Sequence, residues 1–220
     1  MAKRLLSVGV AGHAGQVTST SSATPSSESP TVSRLYEAAA DAFGAKGFHA
    51  TTTRDIASRA GLSPAGVYVH FASKEDLLYQ LSREGHTVAR DALARAAARS
   101  SAPAETLRSM IGAFARWHAE QHQVARIVQY EFRHLSPEHQ HEVLTLRREI
   151  DAVVRGVVDE GVASGDFEVE DTHAAALALL SLVVDVARWY HPGVQQTPEQ
   201  IEQTYGALAL RLVGASPHPG

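Results

Sequence analysis

Apolar side chains return along most of this chain at intervals of three and four, the spacing of one helix face, and runs of β-branched residues are scarce. Leu35, Ala38, Ala39, Ala42 and Phe43 share a face of a first helix that begins near Ser33, and Lys46-Gly47 closes it with a basic residue and a C-terminal glycine. Thr52, with Asp55 three residues on, reads as a capping box; it opens a second helix that buries Ile56, Ala57 and Ala60 and stops at Gly61. Ser63 then caps a third helix, with Pro64 in its first turn, that runs only to about His70. Two short helices joined by the glycine-containing turn Gly61-Leu62-Ser63 form a helix-turn-helix pattern.

Ser73 and Asp76 predict another capping box, at the head of a long helix through Leu77, Leu78, Leu81, Val88 and Ala92 that links the front unit to a larger body. Pro103 starts a helix carrying Leu107, Met110, Ile111, Phe114 and Trp117, and Gln123 to His134 is expected to continue helically. Pro137 opens a long amphipathic helix that holds Val143, Ile150, Val154 and Val158 and ends between Gly161 and Gly165. Thr172 to Tyr190 is the most apolar stretch, with leucines and valines all round, which predicts burial on several sides. Thr197-Pro198-Glu199-Gln200 begins the last helix. These two apolar helices predict a homodimer of facing helix pairs, with Leu179, Leu182, Val183, Val186, Tyr205, Leu208 and Leu212 at the contact. The alternative is that both serve only the core of one chain.

The fold class expected is all-α, because Ala, Leu, Arg and Glu cost least in helical geometry. Apolar residues make up 44% of 220, enough for a core. We divide the chain into an arm over residues 1–30, a front unit over 31–78, a body over 79–214 and a short tail over 215–220. Thr18 to Pro30 is mostly Ser, Thr and Pro and predicts disorder, with Lys3 and Arg4 available for weak backbone contacts to DNA. Glycines at 9, 12 and 15 interrupt a weak signal-like start, no continuous apolar run reaches membrane-helix length, and the expected location is the cytoplasm, with no membrane partner. The absence of Cys excludes disulfides and thiolate chemistry. There is no nucleophile elbow, HExxH motif or glycine-rich phosphate loop, so no catalytic residue is assigned. The formal net charge is -4, which leaves any nucleic-acid affinity to local geometry.

Taken together, Thr53-Arg54-Asp55-Ile56-Ala57, Ala60-Gly61-Leu62-Ser63, Gly66, Tyr68, His70-Phe71 and Ser73-Lys74-Glu75-Asp76-Leu77 resemble the DNA-binding domain of TetR-family bacterial regulators. The resemblance covers about Ser33 to Leu78; the body is similar to that family's ligand-binding domain in size, helix order and apolar distribution. It implies a helix-turn-helix domain joined to a ligand-binding and dimerisation domain. It also implies a repressor, released from a palindromic double-stranded operator by a small organic effector. Arg188-Trp189-Tyr190-His191-Pro192-Gly193 and Thr197-Pro198-Glu199-Gln200 more narrowly resemble actinobacterial repressors of lipid or sterol catabolism that answer to acyl-CoA thioesters.

A recognition helix needs small or hydrogen-bonding residues at its start so that its axis can approach base edges, and Ser63, Pro64, Ala65 and Gly66 meet that need. Thr52, Thr53 and Arg54 open the preceding helix, and specificity leans on Arg54, Ser63 and DNA shape. The resemblance places Tyr68, His70 and Lys74 at the DNA backbone. Each has a structural alternative: Tyr68 packing between helices, His70 satisfying a local carbonyl, Lys74 as a solvated end charge. Phe43, Ile56, Leu62 and Phe71 are assigned to a small core. Over 31–80, five basic residues meet five acidic ones, 5 − 5 = 0, so tight binding requires two half-sites held by one dimer.

In the body, Trp117, His118, Arg126, Ile127, Tyr130, Arg133, Trp189 and Tyr190 are the expected lining of a pocket for an elongated hydrophobic compound. No cofactor is expected. If the narrower resemblance holds, the effector is an acyl-CoA, with Arg126 or Arg133 at its phosphates; the alternative is that these arginines pair with Glu131 or Glu149. His118 and His122 stand one turn apart, but no third metal ligand is set by spacing, and no metal is assigned. Ligand binding would alter the spacing of two reading heads through Arg83, Glu84 and Gly85 in the connecting helix. Competing readings are an activator, a protein scaffold without DNA binding, or a sensor of a non-CoA hydrophobic compound.

Overall fold

The computed structural model describes residues 30–99 and 102–215, so the expected arm, with Lys3 and Arg4, and most of the tail lie outside the described residues. The described residues form helices α1 (Pro30–Ala50), α2 (Thr53–Ala60), α3 (Pro64–Tyr68), α4 (Lys74–Ala97), α5 (Pro103–Glu120), α6 (His122–Tyr130), α7 (Pro137–Ser164), α8 (Thr172–Trp189) and α9 (Pro198–Leu212).

Local chemistry sets the front unit. Gly47, at φ 76°, kinks the end of α1, and the Thr51 hydroxyl lies 3.0 Å from the Ala42 carbonyl and 2.8 Å from that of Gly47. The Thr52 and Asp55 side chains each accept from the other's backbone N–H, completing the capping box of α2. Gly61 ends α2 in the left-handed region at φ 67°, and Ser63 caps α3 through the Gly66 N–H. The box expected at Ser73 closes differently. Ser73 Oγ accepts from the Asp76 N–H, but the Asp76 carboxylate accepts from Ala72, one residue earlier than the cap.

The front core of Leu35, Phe43, Ile56, Phe71, Leu77 and Leu78 is continuous with Val124, Ile127, Leu135 and Val143 of the body, so the two units share a buried seam. The helix expected to run to His134 stops at Tyr130, and a single 3-10 turn, Phe132–His134, follows. That tighter turn sets the His134 ring flat on Phe48 at 5.1 Å, at the seam. The body packs a second core from α4, α5, α7, α8 and α9 around Leu107, Met110, Ile111, Val154, Leu179 and Ile201. Helices α5 and α9 cross closely: a Cβ on Gly112 would stand 2.7 Å from the Glu202 carbonyl, and one on Gly206 2.8 Å from that of Arg108.

Helix α8 departs from expectation. Its 18 residues, at mean hydropathy 1.3, are long and apolar enough to cross a membrane, yet only 33% of them are buried. One face packs into the bundle while Leu177 and Leu182 stand 53% and 43% exposed, so the predicted burial on several sides is not met within one chain.

Candidate nucleic-acid interface and ligand cavity

The starts of α2 and α3 converge on a shallow cleft of about 420 Å³ lined by Thr52, Thr53, Arg54, Pro64 and Tyr68. Ser63, Pro64, Ala65, Tyr68 and His70 are exposed around it, and Gly66 is half-buried beneath Ser63. Tyr68 is 57% exposed, which removes packing between helices as its role; its hydroxyl lies 3.4 Å from Thr53 Oγ1. Val69, at 79% the most exposed large apolar side chain described, extends the same surface and was missed because valine carries no polar signal. The Lys46 ammonium stands 2.9 Å from Asp55, and this hydrogen bond, with those from Thr52, holds the Asp55 carboxyl well below the usual range. Arg54 is exposed on the same rim.

Lys74 differs from the solvated charge or free phosphate donor expected. Its ammonium donates to the carbonyls of Phe48, at 2.6 Å, and Thr51, at 2.7 Å, and lies 4.3 Å above the Phe48 ring. Two of its three donors are thereby committed to the C-terminal end of α1.

The second site is a cavity of about 940 Å³ between α4, α5, α6, α7 and α8. Phe114, Trp117, Val124, Leu144, Ile150, Leu177 and Val184 give it apolar walls; Arg126, Arg147, Arg148, Arg188, Asp151 and Asp185 bring charge. Two imidazoles line it in neutral form. His118 Nδ1 lies 2.9 Å from the Phe114 carbonyl, and burial pushes its pKa down to about 4. His86 Nδ1 lies 2.7 Å from the Ser82 carbonyl, and burial, reinforced by the Arg147 charge, lowers it to about 4 as well. With Nδ1 as donor, His86 Nε2 accepts from Arg147 Nε at 3.2 Å, a bond that ties α7 to α4.

Of the residues expected at the pocket, Trp117, His118, Arg126 and Tyr130 line the cavity and four do not. Ile127 faces the front core instead, 4% exposed. Arg133 points outward from the 3-10 turn, where its Nε reaches His134. Trp189 and Tyr190 pack against the outside of the body core, with Tyr190 edge-on to His122 at 5.5 Å. His86, Arg147, Asp151, His173 and Asp185 were missed, because no local pattern in α4, α7 or α8 marks which polar residues face inward. Among the described residues no three His, Asp or Glu side chains gather to hold a metal ion.

The expected dimer contact also divides. Leu179, Val183 and Val186 are at most 1% exposed, in the core of the single chain, and cannot meet a partner. Leu182, Leu208 and Leu212 are exposed and Tyr205 is half-buried.

Residues 35–81 match the family model of bacterial regulatory proteins of the tetR family, and residues 100–213 that of a tetracyclin repressor-like C-terminal domain. The HTH-type transcriptional repressor KstR2 of Mycolicibacterium smegmatis is 30% identical over 191 residues, 85% of this chain and 92% of that protein. A tetR-family regulatory protein of Rhodococcus RHA1 superposes with a TM-score of 0.80 at 40% identity, over 86% of this chain and 100% of that one. AibR, solved with isovaleryl coenzyme A and operator DNA, shares the fold at a TM-score of 0.74 and 19% identity, over 84% and 100% of the two chains.

Proposed function

The chain belongs to the TetR family of bacterial regulatory proteins, and from that membership we propose that it is a repressor, held on a palindromic operator as a homodimer and released by an effector with an apolar body and an acidic head. The observation that carries this reading is the position of α4. The helix starts at Lys74, clamped to the front unit, and its middle, Gly85, His86 and Ala89, forms a wall of the cavity. A compound that favours one placement of α4 therefore acts on the reading unit through a continuous helix.

In this reading residues 31–78 read DNA and 79–214 sense and dimerise. Ser63, Pro64, Ala65 and Gly66 enter the major groove, where the near absence of side chains permits close approach; Thr52, Thr53, Arg54, Tyr68 and His70 surround them at the phosphates and base edges. Lys74 supports that surface from below and retains one N–H for the backbone. Leu182, Leu208, Leu212 and Tyr205 supply the dimer contact. A DNA partner places the protein in the cytoplasm.

The effector class is supported by a cavity that is apolar within and has exposed Arg126, Arg148 and Arg188 among its lining, an arrangement suited to an acyl thioester with its phosphates outside. The name of KstR2 supports the repressor, and AibR, a protein of this fold, was solved with an acyl-CoA and operator DNA. The test is binding to the DNA upstream of the protein's own gene, with and without a panel of acyl-CoA thioesters and the matching free acids. Release of a specific complex by one thioester is the expected result. A specific complex indifferent to the whole panel would remove the lipid reading, and no specific complex at any promoter tried would remove the repressor.

A further inference from the structure

The cavity contains a cation that no ion pair neutralises. Arg147, midway along α7, lines the cavity and is half-buried, yet no carboxylate among the described residues comes within ion-pairing distance of it. Its contacts are neutral: Nε donates to His86 Nε2 at 3.2 Å, one terminal nitrogen reaches the Val128 carbonyl at 3.4 Å, and the guanidinium lies 4.6 Å from the Phe132 ring centre. Two of the acids nearby are engaged elsewhere: Glu149 holds Arg90 at 2.7 Å, and Asp185 holds Arg188 at 2.5 and 2.8 Å. Asp151, one turn further along α7, points one oxygen toward His173 at 3.6 Å and keeps the other buried without a hydrogen-bond partner, beyond ion-pairing distance of Arg147. The other arginines of the lining, Arg126, Arg148 and Arg188, have exposed side chains and meet water.

Desolvating an ion without a counter-ion is expensive, and arginine cannot escape by losing its proton as a lysine or histidine does. Burial does weaken the hold of Arg147 on its proton, but the group stays cationic. A site that keeps such a charge beside apolar walls is prepared for an anion brought in from outside.

We propose that Arg147 anchors the effector from inside the cavity, and that the effector's apolar body carries a carboxylate that pairs with this guanidinium. The proposal rests on the effector reading above and narrows it. The same carboxylate could come from a free fatty-acid-like compound or from the far end of a dicarboxylic acyl thioester whose phosphates remain at Arg126, Arg148 and Arg188. Either would draw the guanidinium from His86 and so loosen one tie between α7 and α4.

Calorimetric titration of the full chain with two matched probe pairs tests this. Decanoate against 1-decanol examines the free-acid source, and the monothioester of sebacic acid with CoA against decanoyl-CoA examines the thioester source. In the unaltered protein at least one carboxylate probe binds about tenfold or more tighter than its carboxylate-free counterpart, as a charge-assisted hydrogen bond implies. Arg147→Gln abolishes that preference and Arg147→Lys keeps part of it. Equal binding within both pairs, or a preference that survives Arg147→Gln, would each overturn the proposal. Operator binding by the ligand-free protein, measured alongside, separates the two readings: if it is intact while carboxylates are ignored, the repressor stands and the anchor falls.

Discussion

Lys74 shows how one side chain can hold together the proposed DNA-reading surface by bonding to the backbone beneath it. Its two short bonds reach the Thr51 carbonyl and the Phe48 carbonyl, which also accepts from the Thr51 N–H at 3.2 Å, and a charged donor makes each worth more than a neutral one. Lys74→Met, which keeps the stem and removes the donors, should lower unfolding stability by about 2 kcal/mol in urea titration. His118 gives a pH-dependent counterpart. Its folded pKa of about 4 lies below the ordinary 6.5, so the unfolded chain takes up the proton first as pH falls. The stabilisation is whole above about pH 6.5, declines down to about pH 4 and is flat below. At pH 5 the loss attributable to His118 is about 2 kcal/mol relative to pH 7. His118→Asn, with an amide in place of Nδ1–H, should flatten the urea-unfolding stability between those two pH values by about that amount.

Helices α5 and α9 form the tightest pairing in the body because Gly112 and Gly206 place almost nothing between the two backbones. A methyl group at Gly206 would meet the Arg108 carbonyl at 2.8 Å, and since that oxygen belongs to a helix backbone it cannot swing aside. Gly206→Ala should therefore cost about 2 kcal/mol despite the better helix propensity of alanine, read as a lowered melting temperature. Around this crossing Arg116 collects Glu120, Glu199 and Glu202 at 2.7 to 3.2 Å, a half-exposed network that selects register more than it adds stability. Helix α8 presents a different economy: it gives Leu179, Val183 and Val186 to the core and leaves Leu182 and Leu177 outside.

Leu182, with Leu208 and Leu212 of α9, leaves the chain with exposed apolar surface that serves no cavity or core among the described residues. The proposed dimer covers it. Leu182→Arg together with Leu208→Arg should convert the protein to a monomer in sedimentation velocity, with the secondary structure unchanged by circular dichroism. Operator affinity should fall steeply, because two half-sites are no longer engaged at once. A double variant that stays dimeric would locate the contact on another face. The cavity lies beside this surface, since Leu177 and Ser181 of α8 line it. In the proposed reading it therefore stands between the helices of the dimer contact and α4, which leads to the front unit.

The features decided by neighbours in the chain could be read from the sequence. The capping box of Thr52 and Asp55, the left-handed Gly61, the Ser63 cap and Pro64 are settled within four residues, and with them the helix-turn-helix and the all-α class. Where both faces of a helix are apolar, periodicity has nothing to choose between. Leu179 and Leu182 look equivalent in sequence, and only packing against α5 and α7 sends one to the core and leaves the other exposed. The cavity lay further out of reach. His86 and Arg147 are 61 residues apart, and nothing local to either one indicates that they share a wall or that no carboxylate completes the pair. Ile127 carries the same aliphatic signal whether it lines a pocket or closes the seam to α1, and the packing of α6 against α1 decided for the seam. Short-range hydrogen bonding set the elements; the faces they bury and the charges they isolate were decided only when all of them competed for the same interior.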